Sequence, residues 1–309
     1  MVKLTQQAGI GHRFTEMLFG LLLAERTFST YVFDDQTFQK RGDHGSYEWF
    51  HAFLPLSNAE LTLGELQEKQ SLSFNVVRGS WDELMKRNKS ECGAFYVTGS
   101  DSCCEENLHP RCDKGCFGAL FGLYNKYRWK MAKLHEFATF KSRLDLYHDH
   151  HDTLIIGWHI RTGDIRLNRN ISYFETVFGQ LHSATKNIPT RIYFIGENVD
   201  SEFPFLTAMC NTSVFSSNCN FPTLDAEEAF HHLLDSDVLI TSGSSFAYVA
   251  AMLHKRLVIN AFPKGGISGV YEVFDHGQIN KEGVIVKPEH IQLRHQIQTL
   301  YIRKLKLPY

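Results

Sequence analysis

Residues 154–164 read LIIGWHIRTGD, an apolar run that breaks abruptly into a charged turn. A run of this kind fits a parallel strand buried on both faces. In open α/β sheets, ligands bind outside the carboxyl ends of the strands. His159, Arg161 and Asp164 fall at that place here. A guanidinium is always charged, and its rigid fork of N–H donors matches phosphate oxygens. Two readings of Arg161 stay open on this stretch alone: a phosphate ligand, or one half of a surface salt bridge.

Strand and helix patterns alternate on the C-terminal side of this run. Helical spacing covers residues 172–186, 203–210, 226–234 and 246–253. Strand-like runs fall at 190–195, 213–216, 238–241 and 257–260. Such alternation predicts an α/β fold with a parallel sheet and helices on both faces. Beyond residue 260 the pattern assigns no element. On the N-terminal side, an alternating segment at 2–6 leads through Ala8-Gly9-Ile10-Gly11-His12-Arg13 into an apolar helix at 14–26. Strands are expected at 30–33, 72–77 and 94–98. Helical segments are expected at 59–70, 81–86 and 120–143. The polar run HDHHD at 148–152 divides the chain into domains 1–150 and 151–309. Its adjacent side chains point apart, so a surface linker is favoured over a metal site.

The chain has 309 residues, enough for two domains of ordinary size. With 43% hydrophobic and 21% charged residues, it has the composition of a soluble globular protein. A formal net charge of -2 argues against a general nucleic-acid surface. The short apolar run LFGLLLA at 18–24 reads as a buried helix segment, not a membrane span. Seven Cys are present, five of them at Cys92, Cys103, Cys104, Cys112 and Cys116, around an aperiodic loop at 99–118. Paired C-x2-C zinc knuckles are absent, so this cluster and the pair Cys210/Cys219 read as disulfide material for an oxidising compartment. Asn-X-Ser/Thr triplets at Asn88, Asn170 and Asn211 suit a secretory route. The start of the first strand close to Met1 points instead to a chain without a native anchor. The reading of compartment is therefore divided between ER or Golgi lumen and cytoplasm.

Three segments share one grammar, a strand followed by a polar loop: residues 9–13, 159–164 and 242–246. The last reads Ser242-Gly243-Ser244-Ser245-Phe246 and opens a helix. Serines beside the free N–H groups of a helix start can seat a phosphate. Ser244 and Ser245 can equally be helix caps, and Gly9 and Gly11 can serve only a tight turn. Neither the P-loop nor the GxGxxG dinucleotide pattern occurs.

Taken together, these segments resemble the superfamily of fucosyltransferases that use GDP-fucose, comprising the α1,6-, α1,2- and protein O-fucosyltransferases. Gly9-Ile10-Gly11-His12-Arg13 is similar to its first motif, and His159-Ile160-Arg161-Thr162-Gly163-Asp164 to its second. Asp237-Val238-Leu239-Ile240 with Ser244-Ser245-Phe246 resembles its third. The resemblance implies a GT-B fold, two Rossmann-like domains with parallel sheets facing a cleft, acting as an inverting, metal-independent glycosyltransferase. It implies an acceptor-side domain at 1–150 and a nucleotide-sugar domain at 151–309. Arg161 would offset charge growing on the departing GDP. Gly9, Gly11, Arg13, His159, Asp164, Ser244, Ser245 and Phe246 would line the substrates. No cofactor beyond the donor is implied; the partners would be a nucleotide sugar and a glycan or protein acceptor.

The chain departs from the family where a carboxylate base is found in some members. Ala8 precedes Gly9, and Arg166, Asn168 and Arg169 follow Asp164. His12 is then the candidate base, its other reading being a hydrogen bond that positions the sugar. An acid upstream of the serines contacts nucleotide in some members, and Asp225, Glu227 and Glu228 are nearest here. Another nucleotide sugar as donor, or an inactive nucleotide- or glycan-binding protein, are the alternative readings.

Overall fold

The computed structural model describes residues 150–162, 170–212, 218–261 and 276–306, with the strand segments 2–3, 76–78 and 94–98. The chain divides into two compact units, Met1–Thr139 and Phe140–Tyr309. In the first unit, β1 (Val2–Lys3), β2 (Val76–Arg78) and β3 (Ala94–Thr98) form a parallel sheet in the order β1-β3-β2. The strand β3 has the bounds its sequence pattern predicts. The expected glycine loop at 9–13, the helices at 14–26 and 59–70 and the Cys-rich loop at 99–118 lie outside the described residues.

The second unit begins with β4 (Leu154–His159), then α1 (Ile171–Ala184) and β5 (Thr190–Ile195). Next come α2 (Val199–Glu202), α3 (Pro204–Thr212), β6 (Cys219–Asn220), α4 (Ala226–Asp235) and β7 (Val238–Ile240). The chain continues through α5 (Ser245–Leu253), β8 (Leu257–Ala261), β9 (Gly277–Ile279), β10 (Ile285–Lys287) and α6 (His290–Lys306). These strands build a seven-stranded sheet in the order β10-β9-β8-β7-β4-β5-β6. Counted from β4, the six parallel strands stand in the order 3-2-1-4-5-6, a doubly wound arrangement.

The strand β10 departs from the expected parallel sheet: it pairs antiparallel with β9. Asn280 Oδ1 accepts from the amides of Glu282 and Val284 and folds the chain into a tight reversal. A connection that short can reach only antiparallel pairing. The strand expected at 213–216 lies outside the described residues, and β6 forms just after it.

All six residues of β4 are buried, because the sheet is covered on both faces. Leu154, Ile156, Trp158 and Ile160 share one face by the two-residue repeat of a strand. They join a core with Phe174, Val177, Phe178 and Leu181 of α1 and with Leu293 and Ile297 of α6. Trp158 lies at its centre, with ring centroids 5.5 Å from Phe194 and 5.7 Å from both Phe174 and Phe178. The buried positions of α1 recur at helical spacing. The opposite face of β4 meets α4 so closely that a Cβ at Gly157 would lie 3.0 Å from Ser236 Cβ.

At the amino edge of the sheet, Asp237 is buried and takes three donors. They are the Ile155 amide at 2.8 Å, Arg256 at 2.9 Å and Lys304 Nζ at 2.8 Å. Lys304 also donates to the Thr153 carbonyl at 2.8 Å. One carboxylate thus joins β4, β7, the start of β8 and the last turns of α6. Cys210 and Cys219, a pair expected from the sequence, are disulfide-bonded and tie α3 to the edge strand β6.

Candidate functional site

The winding of the sheet reverses between β4 and β7. From β4 the chain proceeds to β5 and β6 on one side; from β7 it proceeds to β8 and β9 on the other. The two crossovers diverge there, which leaves a crevice outside the carboxyl ends of the strands where ligands bind in such sheets. His159 ends β4 and Ser242 lies just past the end of β7; His159 Nδ1 and Ser242 Oγ are 2.6 Å apart, both side chains buried. The ring of Phe246 lies 5.8 Å from that of His159, and Phe230 meets Phe246 edge-on at 5.4 Å.

Ser244 caps α5: its backbone is extended and its Oγ accepts from the Phe246 amide at 3.2 Å. The capping role of Ser244 therefore holds. A hydroxyl has one donor and two lone pairs, so the cap leaves its O–H able to donate to an anion. The turn between the two serines needs Gly243, whose φ of 75° lies in the left-handed region. A side chain there is strained by about 1 kcal/mol or more. Gly243→Ala is expected to lower stability by about 1–2 kcal/mol, measured by urea denaturation.

A second polar layer supports these strand ends. Thr241 Oγ1 donates to Asn260 Oδ1 at 3.0 Å and accepts from the Ala261 amide at 3.2 Å. Asn260 Nδ2 lies 3.0 Å from His276 Nδ1. Thr241, Asn260 and His276 are all buried, so these contacts replace water for groups that would otherwise be unsatisfied.

Arg161 follows His159 by two residues and is half-buried. Burial first, and the Arg161 charge second, lower the His159 pKa from 6.5 to about 3. At neutral pH His159 is therefore uncharged, with one ring N–H to donate. Burial is also the main cause that lowers His232 to about 4; the neighbouring His231 adds to it and Glu228 opposes it. Between these values and 6.5 the unfolded chain binds protons that the folded chain refuses, so stability rises with pH through that window. Acidification from pH 6.5 towards about pH 5, still above most carboxylate titrations, is expected to lower the denaturation midpoint steadily. His159→Gln should remove part of that slope, measured as midpoints across a pH series.

Of the residues read from the sequence, His159 meets the Phe246 ring and feels the Arg161 charge, while Ser244 caps the helix that carries Phe246. Ser245 contributes the first residue of α5, and its side chain is not described. Gly9, Gly11, His12, Arg13 and Asp164 lie outside the described residues. Sequence reading placed Ser242 in the serine turn but not among the site residues; its place at a strand end before a glycine could have signalled a role. Asp225 and Glu228 satisfy each other's amides in a capping box on α4. Glu227 lies 3.9 Å from His231 on the same helix.

No protein-family model matches the sequence, and no curated protein matches it. Among solved structures, the chain is similar to the α-1,6-fucosyltransferase NodZ co-crystallized with GDP. Identity is 15% and the TM-score is 0.42, over 82% of this chain and 91% of that one.

Proposed function

We propose that this chain is an inverting glycosyltransferase that transfers a sugar from a nucleoside-diphosphate donor, GDP-fucose, to a glycan or protein acceptor. The observation that carries this reading is the contact of His159 with Ser242 at the switch point of the sheet, with the Arg161 charge two residues beyond and felt by His159. A guanidinium, a capped helix start and a neutral imidazole in one crevice suit a diphosphate. The choice of GDP-fucose rests on the three sequence motifs. A GT-B arrangement, with residues 1–150 on the acceptor side and 151–309 holding the nucleotide, belongs to the same proposal.

In this mechanism, Arg161 meets the charge that gathers on the diphosphate as the sugar's C1–O bond breaks. Fixed charge of that kind needs no reorganisation in the transition state. Neutral His159, held in orientation by Ser242, donates its free ring N–H to the donor. The α5 start gives backbone N–H groups to the phosphates, and Phe246 closes the side of the crevice. The acceptor hydroxyl attacks C1 from the opposite face in one displacement, and His12 takes its proton. No metal enters the proposed step.

The test is release of free nucleotide from GDP-fucose, set against UDP- and ADP-sugars. Release from GDP-fucose alone supports the proposal. Tight GDP binding with no release from any donor supports an inactive binding protein, and release from another donor reassigns the sugar.

A further inference from the structure

We propose that Asn170 is an N-glycan acceptor, carried on the edge of the sheet where Arg161 emerges. Asn170-Ile171-Ser172 is an Asn-X-Ser triplet without proline. Asn170 and Ser172 are exposed, and Ile171 is 48% exposed. Such triplets are common, so the case rests on how this one is held. Asn170 is the N-cap of α1, and its Oδ1 accepts from the Tyr173 amide at 3.1 Å and from Ser172 Oγ at 2.8 Å. Its Nδ2 donates to no other group among the described residues. The carbonyl oxygen is committed to the fold, while the nitrogen is available for substitution.

Glycosylation changes only that nitrogen. A bond forms between Nδ2 and C1 of the oligosaccharide, and the bond from C1 to its lipid diphosphate carrier breaks. The lipid diphosphate leaves, and Nδ2 loses one proton to solvent. The carbonyl oxygen that caps α1 is untouched, so the modified chain keeps the cap. The Cys210–Cys219 disulfide in the same unit independently suits an oxidising compartment, the kind in which N-glycans are added. Neither observation depends on the sugar donor of the proposed reaction.

The experiment directs the full chain through the secretory pathway of insect cells and maps Asn170 by mass spectrometry. The chain is treated with a glycan-removing amidase in 18O water, which leaves a labelled Asp at a carrier asparagine. In an Asn88→Gln, Asn211→Gln background, wild-type Asn170 is expected to give one glycan-dependent mobility shift. Asn170→Asp keeps a cap oxygen and Ser172→Ala keeps the Asn cap. Both should abolish the shift with the thermal midpoint unchanged. Mapping the chain with Asn88 and Asn211 intact reads Asn170 directly should that background fail to fold. Recovery of Asn170 unmodified, from secreted chain whose Cys210–Cys219 bond is formed, overturns the proposal.

Discussion

Under the proposed function, Arg161→Ala is expected to lower turnover of GDP-fucose by about 10²–10³-fold while the chain stays folded, the effect of losing a preorganised transition-state donor. The loss should fall mainly on kcat, because in the proposed mechanism the charge that Arg161 meets grows as the C1–O bond breaks and is smaller in the bound donor. Arg161→Lys restores part of the rate, since an ammonium supplies charge but not the two-pronged geometry. Stability changes little: the side chain is half-buried at a strand end, away from the apolar core. The same substitution removes one of the two causes that keep His159 uncharged, so the His159 pKa moves upward. Its titration, followed by NMR, gives a readout independent of turnover. Wild-type turnover in a folded Arg161→Ala chain sinks the proposed role.

The parts of this site that could be read from the sequence are those set by local pattern. Apolar runs placed β3, β4 and β5, and the Ser-rich turn before an apolar helix placed the start of α5. The parts that escaped depend on contacts between distant residues. Ser242 earns its place only because β7 lies beside β4 and brings its hydroxyl to His159 across 83 residues of sequence. Asn260 and His276 likewise meet across the ends of β8 and β9. The helix α6 escaped because a mainly polar helix needs few buried positions, Leu293 and Ile297, to sit on a core supplied by others. Asp237 is the most instructive case. In the sequence it precedes Val238, Leu239 and Ile240 as part of a motif leading to the serines. In the fold that strand separates it from them, and it works at the amino edge, away from the crevice. A short strand is enough to turn an acid that adjoins a motif into a structural residue.

Asp237→Ala is expected to destabilise the second unit by about 3–5 kcal/mol, the range for removing one partner from a buried charge network. The carboxylate is 4% exposed and Lys304 is 13% exposed, whereas Arg256 is 44% exposed. Arg256 can therefore turn to water at little cost, and most of the loss falls on Lys304 and the Ile155 amide. Lys304 keeps the Thr153 carbonyl, but an ammonium so placed still lacks its counter-charge. Lys304→Met costs less, because the carboxylate retains Arg256 and the Ile155 amide. Combining the two substitutions should cost less than their sum, since each removes the partner that made the other loss expensive. Urea denaturation with an unchanged m-value measures these differences. The network lies at the sheet edge opposite His159 and Ser242, so folded Asp237→Ala chain should bind GDP with near wild-type affinity. A fall in GDP affinity of about tenfold or more, some 1.4 kcal/mol, would place Asp237 in the site after all. A stability loss below about 1 kcal/mol would mean that water, not Lys304 and Arg256, is the carboxylate's effective partner.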